Sequence, residues 1–174
     1  MEIKPITIVG CGPGALDYVT PAASHAIAGH LGQQRIVVLV TGDPGLCSLA
    51  RPVLKRFGRA ACRVISGISS VHAAFASVGI DWFGARVLSA HDHAPDLDLA
   101  SLASEEKIAL LAGNPATAHW VEALAIALFP THEIYICENL TLPEESVRRV
   151  EALNLPMNLA SRSILLFIKK EDSR

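Results

Sequence analysis

VVLVTGDPGLCSLARPVLKRFG, Val37 to Gly58, decides the fold. An apolar run ends in Thr41-Gly42-Asp43-Pro44-Gly45, after which Leu46, Leu49, Val53, Leu54 and Phe57 recur at helical spacing until Gly58 stops them. Arg35 to Thr41 is apolar on both faces, which predicts a strand in the middle of a mostly parallel sheet covered by helices on both sides. Such a strand delivers its turn to the carboxyl edge of the sheet, where α/β proteins bind ligands. Within the turn, Gly42 and Gly45 permit close backbone approach and Pro44 stiffens the bend. Asp43 is placed either to cap the following helix or to hydrogen-bond a ligand hydroxyl or amine.

Working outward, strands and helices alternate, the pattern of an α/β chain. Upstream, Ile3 to Gly10 reads as a first strand, and Thr20-Pro21 supplies a cap and a first-turn proline for a helix over Ala22 to Ala28. Downstream, Cys62 to Ile65 is a strand that runs into Ser66-Gly67-Ile68-Ser69-Ser70. A helix through Val71, Ala74, Phe75 and Val78 then ends at Gly79. The hydroxyls of this second turn suit helix capping. Ala85 to Ser89 is a further strand, and the polar stretch HDHAPDLDLASLAS, 91 to 104, predicts a domain connection or a loop with a short helix. Lys107 to Ala112 predicts a strand, Thr117 to Phe129 a helix, Ile134 to Leu140 a strand, Glu144 to Ala152 a charged helix and Ser163 to Lys169 a last strand. The expected division is an N-terminal domain over 1–92 and a C-terminal domain over 105–174.

The chain's 174 residues, 51% hydrophobic and 18% charged, suffice for a packed core and exclude disorder. A formal net charge of -2 without a Lys/Arg run argues against a nucleic-acid partner. The first apolar run is strand-sized and no long uncharged apolar span follows, so a soluble cytoplasmic protein without a membrane partner is expected. Cys11, Cys47, Cys62 and Cys137 form no CxxC pair and suit reduced thiols. His91-Asp92-His93 lacks further ligands at zinc-like spacing, and no metal site is expected.

Gly10-x-Gly12-x-x-Ala15 formally fits the dinucleotide fingerprint. Against that reading, Pro13 removes an amide, the helix starts only after Thr20, and no acidic residue ends the second strand. A turn that positions strand and helix is favoured over a nicotinamide or flavin site.

Four segments in order, VGCGPGALDYVTPAA, VTGDPGLCSLARPVLKRFG, VISGISSVHAAFASVGIDWFGARVLSAH and ICENLTLPEE, resemble the tetrapyrrole methylases, and among them those that methylate carbon 5 of a precorrin. The resemblance implies a two-domain α/β fold, with a mostly parallel N-terminal sheet and a mixed C-terminal sheet. It also implies a homodimer that binds S-adenosyl-L-methionine in a cleft between the domains, and a precorrin or cobalt-precorrin substrate in cobalamin biosynthesis. Methylation and decarboxylation at carbon 15 would fall to a separate partner, because the chain ends at Arg174 without a second methyltransferase domain. One departure is that Ala28 to Gln34 directly crosses a gap where the family carries a further strand and helix.

On this resemblance the cofactor-binding residues are Thr41, Gly42, Asp43, Pro44, Gly45 and Leu46, then Ser66, Gly67, Ile68, Ser69 and Ser70, with Asn114. Asn114 and Glu138-Asn139-Leu140 would supply the second domain's side of the cleft, where structural turns explain them almost as well. A tetrapyrrole carries several carboxylates, so cationic side chains should rim its trough. Arg51, Arg86, His91 and His93 are the candidates, and His91 ranks first because it matches a histidine after the corresponding strand. No catalytic base is assigned, since methyl transfer from a sulfonium to an electron-rich carbon needs mainly alignment in a dry cleft. The rival reading, prompted by the shortened first domain, is a non-catalytic tetrapyrrole- or cofactor-binding module.

Overall fold

Strand β1 (Ile6–Gly10) is the centre of a parallel three-stranded sheet, flanked by β2 (Val37–Val40) and β3 (Cys62–Ile65) in the order β2-β1-β3. The computed structural model describes residues 5–30, 36–151, 155–156 and 158–170. They form two compact units, residues 1–73 and 74–174.

In the first unit, alternate residues of β1 face opposite helices. Val9 packs with Ala23 and Ala26 of α1 (Pro21–His30), and Ile8 with Ala50 of α2 (Ala50–Phe57). Thr20 caps α1 as expected, accepting the Ala23 amide at 3.2 Å. The helix expected to begin near Leu46 begins at Ala50 instead, because Ser48 Oγ accepts the Ala50 amide at 3.1 Å. The placement of β2 also differs from expectation: among the described residues it is an edge strand. Its two apolar faces are explained by helices, since Val37 packs on the α1 side and Val38 and Val40 on the α2 side. Coverage above and below does not require a strand on both flanks, and Leu39 is 54% exposed. Of the segment expected to bypass a missing strand and helix, residues 31–35 lie outside the described ones.

The second unit carries a mixed sheet in the order β4-β5-β8-β6-β7, where β4 is Arg86–Ser89, β5 Lys107–Ala112, β6 His132–Glu138, β7 Ser146–Val150 and β8 Ser163–Lys169. β4 and β5 are parallel, and the other pairs are antiparallel. The helix α4 (Ala118–Leu128) buries Val121, Leu124, Ala125 and Leu128, an i, i+3, i+4, i+7 stripe, against Ile108, Leu110, Ile134, Ile136, Leu165 and Phe167. Each such large side chain contributes about 1.5–3 kcal/mol through burial. A further helix, α3 (Ser70–Ser77), spans the division between the units.

Two expectations are corrected here. The boundary after residue 92 lies too late, because β4 pairs with β5 and belongs to the second sheet. Of the two readings of the 91–104 stretch, the loop with a short helix holds: its 3-10 turn, Leu99–Ser104, sinks Leu102 into the core of the second unit. The segment expected as a charged helix over Glu144 to Ala152 instead forms strand β7 from Ser146 to Val150. Its cations are paired across the sheet: Arg148 with Glu138 at 2.6 Å and Arg149 with Glu133 at 2.8 Å, both on β6. Among the described residues no helix is long and apolar enough to cross a membrane.

Candidate cofactor and substrate site

The loops after β1, β2 and β3 leave the same edge of the parallel sheet and meet there. Gly42 donates its amide to Gly12 O at 2.8 Å, an isolated antiparallel bridge between the first two loops, and its φ of 71° favours glycine. Behind that bridge the loops pack backbone on backbone. A Cβ on Gly10 would lie 2.6 Å from Gly67 N and 2.7 Å from Gly42 O. Gly10 and Gly67 are therefore both required by one close approach, to which Gly42 brings its carbonyl oxygen. Only a single 3-10 turn, Leu16–Tyr18, follows this loop and the first α-helix starts at Pro21, so Gly10-x-Gly12-x-x-Ala15 does not open an α-helix as a dinucleotide fingerprint does.

Thr41, Gly42, Asp43, Pro44, Gly45 and Leu46 form the turn after β2, and Ser66 to Ser70 the turn after β3. The structure brings these two sets together. Asp43 does not cap α2, which begins seven positions later. Its Oδ1 accepts the Gly45 amide at 2.7 Å and its Oδ2 the Gly67 amide at 3.1 Å. Thr41, Gly45 and Ser66 are exposed on this edge, while Ser69 is buried and caps α3 by accepting the His72 amide at 3.2 Å. Ser70 opens that helix and Ile68 is half-buried. Arg51 is exposed in the first turn of α2.

In the second unit, Asn114 and His91 come together at the carboxyl ends of β5 and β4. Asn114 Nδ2 donates to His91 O at 2.7 Å, and its Oδ1 accepts the Ala116 amide at 3.0 Å, capping the turn Pro115–Thr117. Thr117 Oγ1 adds a bond to Ala90 O at 2.8 Å, so the loops after these parallel neighbours are fastened at two points. A small cavity of about 10 Å³, room for about one water, lies beside them, lined by Gly113, Asn114, Pro115, Ala118, Val121 and Leu159. Arg86 is not part of this group. It stands at the amino end of β4 and pairs with Glu105 at 2.7 Å.

Glu138 is braced rather than free. Burial alone would raise its pKa, but the Ala160 amide, the Arg148 guanidinium and the Ser163 hydroxyl together hold the carboxyl below its ordinary range. Sequence reasoning assigned the 138–140 stretch to a ligand and missed that Arg148 answers it, because the partner lies on the next strand. Asn139 and Thr141, which follow, have φ of 50° and 70°. Among the described residues no cluster of three or more His, Cys, Asp or Glu side chains is arranged to hold a metal.

Residues 29–156 match the family described as Tetrapyrrole (Corrin/Porphyrin) Methylases. The cobalt-precorrin-7 C(5)-methyltransferase of Salmonella typhimurium is 26% identical over 199 aligned positions that cover 92% of this chain and 98% of that protein. Among solved structures, the cobalamin biosynthesis precorrin-6Y methylase of Archaeoglobus fulgidus shares the fold with a TM-score of 0.67 and 21% identity, covering 97% of this chain and 99% of its own. The uroporphyrin-III C-methyltransferase of Thermus thermophilus, complexed with S-adenyl homocysteine, gives 0.70 at 15% identity over 94% and 91%.

Proposed function

This chain belongs to the tetrapyrrole (corrin/porphyrin) methylases, and from that premise we propose that it methylates carbon 5 of a precorrin or cobalt-precorrin with S-adenosyl-L-methionine as donor. The observation that carries the reading is the match to a C(5)-methyltransferase over almost the whole of both chains. When bound, the donor supplies a methyl group made electrophilic by its sulfonium charge.

The residues present fit such a donor. Exposed Thr41 and Ser66 hydroxyls, exposed Gly45 and the glycine-lined edge offer acceptors, donors and bare backbone to ribose hydroxyls and an amino-acid tail. The turns 41–46 and 66–70 would hold that molecule. Asn114 is proposed as a further residue that touches the donor. The work of these residues is to bind and orient, since alignment of two reactants can lower a barrier by about 7–11 kcal/mol. The S–CH₃ bond would break as the ring carbon takes the methyl, leaving S-adenosylhomocysteine, and no residue is assigned as a base on the substrate. His91, His93 and Arg51 are proposed to meet substrate carboxylates, whereas Arg86 is already engaged by Glu105. The free cysteines accord with a reducing compartment such as the cytoplasm, and a homodimer is proposed on the family resemblance alone.

Calorimetry with S-adenosylhomocysteine, followed by incubation of the enzyme with precorrin and donor, tests the proposal. The expected product gains one methyl group, placed at carbon 5 by carbon NMR. A methyl at another ring carbon would overturn the position while keeping the chemistry. One observation favours the rival module: the 199 aligned positions exceed the chain's 174 residues, so the Salmonella protein has residues without a counterpart here. Tight binding of donor and tetrapyrrole without any turnover would establish that alternative.

A further inference from the structure

Asp43 has both carboxylate oxygens committed to backbone amides, and the two amides belong to different turns. The bond to Gly45, two residues on, shapes its own turn; the bond to Gly67 spans 24 positions and joins the loops that follow β2 and β3. Those strands lie on opposite flanks of β1, so no ladder hydrogen bond connects them directly. The tie bridges what the sheet leaves apart. We infer that Asp43 is a positioning residue that sets the spacing of the turns 41–46 and 66–70 and acts on the methyl donor only through them. This inference rests on the proposed reading of those turns as the donor site.

The chemistry separates this role from direct contact. A carboxylate bonded to two N–H donors fixes both, and a pre-set pair of turns spares the ligand the cost of ordering them. Asp43→Asn keeps the shape and one acceptor oxygen but turns an NH₂ toward the other amide, so one of two bonds survives. Asp43→Ala keeps neither. A positioning role therefore predicts graded loss of donor affinity in the order wild type, Asn, Ala, with little change in the chemical step. A group that acted on the reacting atoms would instead lower kcat and alter its pH profile.

The experiment combines S-adenosylhomocysteine calorimetry, donor KM and kcat, and NMR hydrogen exchange at the Gly67 amide, at a temperature where circular dichroism shows each variant folded. For Asp43→Ala we expect Kd and donor KM to rise about tenfold or more. Asp43→Asn should fall between, kcat should stay within about threefold of wild type, and Gly67 exchange should accelerate. If Asp43→Ala does not fold, Asp43→Asn alone carries the comparison with wild type. Unchanged affinity, unchanged Gly67 exchange, or a fall in kcat at constant KM would each overturn the positioning role while leaving the donor site standing. Wild-type protein that fails to bind S-adenosylhomocysteine would instead overturn the site itself, and the positioning role with it.

Discussion

Asp43 Oδ2 stands 3.1 Å from the Gly67 amide nitrogen, a bond between two loops that share no strand ladder. In the second unit, Asn114 makes the same kind of join, its Nδ2 standing 2.7 Å from His91 O. In each unit a short polar side chain fastens loops on the side where strands end, and directs its hydrogen bonds to backbone.

The glycine packing behind the Asp43 tie leaves no space for a methyl group. Gly67→Ala would bring a Cβ to 2.8 Å from Gly10 C and 2.9 Å from Gly10 Cα, backbone atoms that cannot swing aside. We expect a loss of about 1–3 kcal/mol in urea unfolding and the disappearance of S-adenosylhomocysteine binding. Gly29→Ala, near the end of α1 with nothing within 4 Å of the added carbon, should instead hold or raise stability by up to about 0.5–1 kcal/mol. Equal melting temperatures for the two variants would contradict the crowding seen at Gly67.

Acid should weaken the second unit through Glu138. Its folded pKa lies below the ordinary carboxylate value, so around that range the unfolded chain binds more protons than the folded one. The stability it contributes is complete above the ordinary value and disappears as pH falls through the folded value. Glu138→Gln should lose about 1–2 kcal/mol at pH 7 and show a shallower decline on acidification, measured as urea midpoints from pH 7 to pH 3. An acid limb as steep as wild type would remove Glu138 from that account.

Thiol reactivity should sort the cysteines by position. Burial, with a smaller push from the Glu145 charge, raises the Cys137 thiol to about 12, and the residue has no exposed surface. Cys47 is exposed in the turn before α2. Ellman's reagent should modify Cys47 in the native protein and reach Cys137 only after denaturant is added. Rapid native labelling of Cys137, located by peptide mass mapping, would show that the second sheet opens readily.

Charge is unevenly spread along the chain. No acidic residue occurs between 44 and 80, where Arg51, Lys55, Arg56, Arg59 and Arg63 are all exposed. If the substrate is the polycarboxylate proposed, its KM should rise about threefold or more between low and high salt, with kcat little changed. Lys55→Glu with Arg59→Glu should blunt that response, and a salt-independent KM would assign these side chains to solvation alone.

Features set by neighbours in sequence were legible: the Thr20 and Ser69 caps, the β1 and β3 strands, the α4 stripe and the glycine turn after β2. Those that depend on distant partners were not. Alternation reveals which faces of β2 are covered but not which strands flank it, so its edge position was invisible. Arg148 and Arg149 resemble a solvated helix until Glu138 and Glu133 are placed across from them. Leu102 gives no local sign that its polar stretch folds back into a core. The second oxygen of Asp43 belongs to the same class, because Gly67 becomes its neighbour only after the sheet has formed.

The flank position of β2 bears on how this protein is handled. Its outer rim offers peptide groups to any chain that arrives, and Ile36 and Leu39, 64% and 54% exposed, add oily surface beside them. Concentrated stocks should therefore clump through strand stacking at this rim, and a lysine in place of Leu39 is the simplest safeguard for storage and crystal growth.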